Sequence, residues 1–292
     1  MDLPRFVIPA QEAESMARGS KLTVLQLLPS LVNSAKGLAR PPISHYHVGA
    51  VGLGSSGRIF LGVNLEFPTL PLHHSVHAEQ FLLTNLSLNA EPHLRYLAVS
   101  SAPCGHCRQF LQEIRDAQDI NLLITSEPDS NQFQPLSNFL SHPFGPHDLL
   151  PKHVPLLLEP HDNRLSFLSE THLPSCNGFS DGHGELRYAA LEAANKSHAP
   201  YSECPSGVAL MDGEGKVYKG SYTESAAYNP SLGPVQAALV AYVAGGDGGG
   251  YERIVAAVLV EKDGAVVKQE DTARLLLQAI SPKCELTVFH CG

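Results

Sequence analysis

Two short stretches of this chain carry side chains suited to chemistry. The first, HSVHAEQFLL (74–83), sets His77 two residues before Glu79 at the head of an apolar run. The second, APCGHCRQFLQEI (102–114), sets Cys104 and Cys107 three residues apart. An imidazole and two thiols are zinc donors, and three N/S ligands leave the fourth position open, as a catalytic zinc requires. Residues two apart on a helix do not share a face, so His77 and Glu79 are expected to do different jobs. His77 is the expected ligand, and Glu79 the proton carrier beside a bound water whose pKa zinc lowers from ~15.7 to ~7. Each motif also has a plainer reading. Cys-Gly-His-Cys alone suits a thiol redox pair, and His-x-Glu alone suits a solvated helix cap. Their combination in this order favours one Zn2+ per chain, held by His77, Cys104 and Cys107.

These residues must be delivered to one place by the elements around them. Cys104 and Cys107 follow the strand-like run RYLAVSS (95–101) and open a helix expected over 104–118. There the helix dipole favours thiolates. His77 and Glu79 open a helix expected over 76–89. If both helices start at the same sheet edge, the four groups converge.

The chain also contains itself twice. Shifted by 158 positions (200 − 42), residues 42–66 fall on residues 200–224, with Pro42/Pro200, Ser44/Ser202, Gly49/Gly207, Gly57/Gly215, Gly62/Gly220 and Glu66/Glu224 identical. A period this long indicates a duplicated domain rather than a solenoid. In each copy two strands flank a glycine turn (48–53 and 59–65; 208–211 and 217–222). Helices are expected next at 76–89 and 234–244, then strands at 95–101 and 254–260, helices at 104–118 and 271–280, and strands at 121–126 and 285–290. An amphipathic helix over 21–39 is expected to break at Pro29. Near-continuous apolar strands between helices predict an α/β fold of two tandem α/β/α sandwich modules with mixed sheets. The expected boundaries are an N-terminal helical segment 1–40, a catalytic module 41–140, a connector 141–183 and a second module 184–292. With a one-residue gap, His77 falls on Pro234 and Glu79 on Gln236, and no cysteine near 255–265 answers Cys104 and Cys107. The second module therefore reads as catalytically degenerate.

Bulk properties narrow the partners. The 292 residues are 43% hydrophobic and 17% charged, as in a globular protein. The formal charge of −9 argues against a nucleic-acid partner. No apolar run is long enough to span a membrane. The N-terminal residues resemble neither a signal nor a transit peptide, so a cytoplasmic protein is expected. Six cysteines at this length, without a secretion signal, do not suggest a disulfide framework.

His-Ala-Glu followed by Pro-Cys-Gly-His-Cys resembles the zinc-deaminase signature. VHAEQ, PCGHCRQF, GVNLEF, FGPHDL, AANKSHAPYSECPSGVAL and GSYTESAAYNP extend the likeness from about residue 40 past 230. Over this span the chain resembles the dimeric, two-module cytidine deaminases of enteric bacteria and plants. That resemblance implies a homodimer and hydrolytic deamination of cytidine and deoxycytidine, with Glu79 catalytic. It further implies that Asn64 and Glu66 bind the ribose 3′-hydroxyl and that Tyr46 stacks on the pyrimidine. The backbone at Ala78 would hold the base carbonyl, the Ala102 carbonyl would receive the leaving amine, and Phe144 would close the neighbouring subunit's site. Tyr46 departs from the phenylalanine of the family pattern: it keeps the ring and adds a hydroxyl. No 5′-phosphate cradle is recognisable, so a nucleoside is the expected substrate.

Overall fold

The computed structural model describes residues 5–127, 132–168, 182–246 and 249–292. The chain forms two units, Met1–Glu159 with Ser225–Ser231, and Pro160–Glu224 with Leu232–Gly292.

In chain order the first unit contains β1 (Val7–Ile8), α1 (Ala10–Gly19), α2 (Val24–Lys36), β2 (Gly49–Gly54), β3 (Ile59–Val63), α3 (Ala78–Leu88), β4 (Leu94–Val99), α4 (Gly105–Phe110), β5 (Asn121–Ile124), β6 (Gln134–Pro135) and α5 (Pro146–Leu149). Its mixed sheet runs β1-β3-β2-β4-β5-β6, with β4 and β5 parallel and the other neighbours antiparallel. The second unit contains α6 (Gly182–Asn195), β7 (Ser206–Asp212), β8 (Val217–Ser221), α7 (Pro234–Gly245), β9 (Ile254–Lys262), α8 (Glu270–Ile280) and β10 (Glu285–Cys291). Its sheet runs β10-β9-β7-β8, with β9 and β10 parallel. This repeats the order β5-β4-β2-β3 of the first unit. Even the irregularity recurs, between Leu53 and Gly54 on β2 and between Met211 and Asp212 on β7.

The repeated glycines show how each sandwich is assembled. Only Gly57 and Gly215 sit in turns, at φ of +81° and +84°. The other two pairs lie in strands, not at turns, because helices approach them too closely for a side chain. A Cβ on Gly49 would meet the α2 backbone at Val32 and Lys36, and one on Gly62 would meet the α3 backbone at Ala78 and Leu82. Gly62 is paired with Ala50, the neighbour of Gly49, so these two glycines look to opposite faces of the sheet. The second unit repeats this, with Gly207 against α6 and Gly220 against α7. Each sheet is thus covered on both faces, the expected α/β/α sandwich.

Apolar burial holds each unit. In the first, Phe60, Leu97 and Leu122 of the sheet are fully buried, as are Leu28 of α2 and Phe81 and Leu82 of α3. Phe81 also stacks on Phe6 with ring centroids 5.1 Å apart. In the second, Leu186, Ala190 and Ala194 of α6 pack on Ala209, Val258 and Val260. Each fully buried Leu or Phe contributes roughly 1.5–3 kcal/mol.

Two expectations are corrected. The helix expected over 104–118 ends at Phe110. Leu111–Glu113 tighten into a 3₁₀ turn, and Ile114 becomes extended to bridge Leu157, whose N–H donates to the Glu113 carbonyl. The 21–39 helix does not break at Pro29, because Thr23 and Gln26 cap its start and burial of Leu27, Leu28, Val32 and Ala35 outweighs one missing backbone bond. Helix α6 begins at Gly182, inside the segment expected as connector; residues 169–181 of that segment lie outside the described residues.

Candidate zinc and nucleoside site

His77 and Cys104 occupy equivalent places, each the N-cap of its helix. His77 precedes α3 and Cys104 precedes α4, with Cys107 one turn into α4. The position of α3 follows from Gly62, which lets β3 lie directly against the Ala78–Leu82 turn. The Gln80 side chain then accepts from the His77 N–H at 3.2 Å and donates to the Pro230 carbonyl at 3.0 Å. On the cysteine side, Arg108 donates to the carbonyls of Pro103 at 2.7 Å and Phe139 at 2.9 Å, fixing the loop that presents Cys104.

Three donor atoms converge. His77 Nδ1 lies 3.5 Å from Cys104 Sγ and 3.2 Å from Cys107 Sγ, and the two sulfurs are 3.7 Å apart. Among the described residues, His77, Cys104 and Cys107 form the group able to hold a metal ion. Their electrostatics fit a divalent cation. Hydrogen bonds from Cys107 and His77 pull the Cys104 thiol down to about 3, whereas its bond to Cys104, together with burial, pushes the Cys107 thiol up. Thiolate is the form that ligates a metal, and a divalent ion would let both sulfurs ionise. A soft N/S₂ donor set with tetrahedral spacing suits zinc. His106 stacks on the His77 ring at 5.1 Å between centroids and stands outside the donor group.

Glu79 is 4% exposed and reaches Cys107 Sγ with Oε2 at 3.2 Å. Burial raises its pKa above the usual carboxylate range. It lies in the wall of a cleft of about 450 Å³, within the range of small-molecule sites. Tyr46, Asn64, Glu66, His77, Ala78, Ala102 and Cys104 line the same cleft. Glu66 Oε2 accepts the N–H groups of Ile43 and Ser44 at 2.9 Å each, and Oε1 accepts the Ser44 hydroxyl. Burial alone would raise the Glu66 pKa, but these bonds outweigh it and the net shift is downward. Asn64 accepts from the Val48 N–H and donates to the Tyr46 carbonyl, both at 2.9 Å.

Phe144 is not brought to this cleft within the chain. Its side chain is exposed and its carbonyl accepts from Gln109. Ser44, Ser101 and Gln80 were not singled out from the sequence. The only signal was the recurrence of Ser44 and Glu66 as Ser202 and Glu224, which rebuild the same clamp: Glu224 accepts from Tyr201 N at 2.8 Å, from Ser202 N at 3.1 Å and from the Ser202 hydroxyl.

The second unit's counterpart of this helix start is also visible. Gly62 meets Ala78 and Leu82, while Gly220 meets Pro234 and Ala238. Ala78 therefore matches Pro234, His77 matches Gly233 and Glu79 matches Val235. This is one residue off the alignment expected from sequence, because the connection from strand to helix is shorter in the second unit by two residues, not one.

Two segments, 23–123 and 136–274, match the family described as "Cytidine and deoxycytidylate deaminase zinc-binding region". The chain is 64% identical over its whole length to "Cytidine deaminase 1" of Arabidopsis thaliana, covering 99% of that protein. It is 52% identical over 99% of its length to "Cytidine deaminase 7" of the same plant, covering 95% of it. Among solved structures, cytidine deaminase from Mycobacterium tuberculosis is 28% identical, covering 41% of this chain and 96% of that one, with a TM-score of 0.36. The chain belongs to the cytidine and deoxycytidylate deaminase family, as a two-module member with zinc-binding chemistry.

Proposed function

We propose that this protein hydrolyses cytidine and deoxycytidine to uridine and deoxyuridine with release of ammonia, in pyrimidine salvage. The observation that carries the reading is the His77/Cys104/Cys107 donor group beside buried Glu79, in a cleft of nucleoside size. Zinc held by these three residues supplies Lewis acidity that activates water near neutral pH.

The chain's own groups do the rest. Glu79 takes a proton from water and delivers it to N3 of the pyrimidine as the water oxygen adds to C4. It then moves the proton of the new C4 hydroxyl to the exocyclic amine, which leaves as ammonia as the C4 carbonyl forms. Its burial suits this, because a raised pKa lets the carboxyl hold a proton closer to neutral pH. The Ala78 backbone receives the base carbonyl and the Ala102 carbonyl receives the departing amine. Such edge contacts discriminate strongly, since a wrong base leaves a buried polar group unpaired. Tyr46 supplies the stacking wall. Glu66 and Asn64 receive the ribose 3′-hydroxyl, and both have capacity left. The carboxylate has about four acceptor sites, and three are used by Ile43 and Ser44; the Asn64 amide keeps one N–H and one lone pair.

The division into 1–40, 41–140, 141–183 and 184–292 accompanies this reading, with the last module catalytically degenerate and structural. The protein is proposed to act in the cytoplasm as a homodimer with Phe144 supplied to the partner's site and one zinc per chain. Nucleic acid and membrane are not among its proposed partners. In the described residues no helix is long and apolar enough to cross a membrane.

The test is a panel of cytidine, deoxycytidine, CMP, adenosine and single-stranded DNA, followed by loss of absorbance or ammonia release. Turnover of the two cytosine nucleosides, with CMP and DNA at least about a hundredfold poorer in kcat/KM, is expected. Comparable rates on CMP or DNA would overturn the substrate class, and no turnover of any cytosine compound by the zinc-loaded protein would overturn the activity.

A further inference from the structure

Tyr46 is 57% exposed, yet its backbone and its ring are tied at every polar atom. Its N–H donates to the Ser44 hydroxyl at 3.0 Å, its carbonyl accepts from Asn64 at 2.9 Å, and its phenolic oxygen lies 2.8 Å from the Ser101 hydroxyl. Exposed aromatic side chains ordinarily gain little from such confinement, because fixing the ring costs rotamer entropy.

The second unit separates what the fold needs from what the cleft needs. Cys204 stands where Tyr46 does, and its N–H still donates to the Ser202 hydroxyl, at 3.2 Å. The Glu224–Ser202 clamp is also retained. The phenol tie has no equivalent there, because the Cys204 side chain turns to the Ser202 carbonyl at 3.2 Å, and Tyr222 stands in place of Asn64. The Ala50↔Val99 pairing, continued by two residues, sets Val48 opposite Ser101; its counterpart in the second sheet is Ser206↔Glu261. Glu261 turns instead to the Gln269 N–H at 2.9 Å. A loop of this shape folds without the phenol or Ser101, so their bond is not required by the fold.

We propose that Ser101 is a positioning residue that acts through the Tyr46 hydroxyl. The bond joins the loop carrying Tyr46 to the turn carrying Ser101 and Ala102, and all three residues line the cleft. It holds the Tyr46 ring as a preformed wall at a fixed distance from Ala102, so that a flat base enters without ordering the ring first. This inference rests on the nucleoside reading above. Pre-organisation of this kind acts on binding more than on the chemical step.

Three zinc-loaded variants test it: Tyr46→Phe, Ser101→Ala and the double variant. Each single change is expected to raise KM for cytidine about two- to tenfold, the worth of one neutral hydrogen bond. kcat should stay within about twofold, the double variant should be no worse than either single one, and Ser101→Thr should restore KM. Unchanged KM in Tyr46→Phe, additive losses in the double variant, or a fall confined to kcat would overturn the proposal. A ligand-independent arm separates this from failure of the nucleoside reading. Hydrogen exchange of peptides covering residues 42–50 should quicken in both single variants without a change in melting temperature. If wild type does not turn over cytidine, the substrate assignment falls, and the exchange result still decides the Tyr46–Ser101 bond.

Discussion

Cys104 and Cys107 are separated by one helical turn and are driven to opposite protonation states by each other's presence. The convergence of both sulfurs with His77 Nδ1 is what argues for a ligand role. Replacing Cys107 by Ser should therefore weaken zinc binding beyond the ~10–100-fold typical of losing an outer partner. Competition with a chromophoric chelator measures this, and unchanged affinity would remove Cys107 from the ligand set. At this scale the sequence was most legible. His77, Glu79, Cys104 and Cys107 advertise their chemistry through residue type, and the structure brings all four together. Ser44, Ser101 and Gln80 were not legible, because a hydroxyl or amide has no signature until its partner is known. The structure gives those partners as Glu66, Tyr46, and the His77 and Pro230 backbone.

The elements are set by close approach of helix to strand. Gly62 admits the first turn of α3, which begins immediately after His77 and includes Glu79. Gly62→Ala should destabilise the protein by about 1–3 kcal/mol through overpacking and should also lower kcat by displacing that turn. Gly220→Ala, in the same relation to α7, should cost similar stability with kcat little changed. Urea unfolding and initial rates on both variants check the contrast; equal loss of kcat would contradict it. The repeated glycines were readable as a duplication, but the roles of Gly49 and Gly62 were not. Backbone contact between distant segments leaves no local pattern. The overlong helix expected from 104 failed for a related reason, since Leu157 draws the backbone at 113–114 out of the helix.

At the scale of the molecule, two sheets that share one four-strand order carry one complete donor group among the described residues. Metal analysis of purified protein should give one zinc per chain, and a second tight zinc would contradict a degenerate second module. Stability should also depend on pH through the β2–β3 turn. There buried Glu91 accepts from Ser55, from Ser56 and from Arg58, the last at 2.9 Å. Burial raises its pKa, but the hydrogen bonds outweigh burial and the net shift is below the ordinary 4.5. A lowered folded pKa means stability that is present above the unfolded value and lost as pH falls through the folded one. Glu91→Gln should lower stability at neutral pH and flatten its decline below about pH 5, read from urea midpoints across pH. An identical acid profile in the variant would contradict this.

The central claim is that Glu79 moves protons beside a metal that other residues hold. Deamination of cytidine by Glu79→Gln, assayed together with its zinc content, tests that claim most directly. The expected result is one zinc per chain with kcat reduced by roughly 10²–10⁴. A variant that keeps its zinc and most of its rate would contradict the assignment.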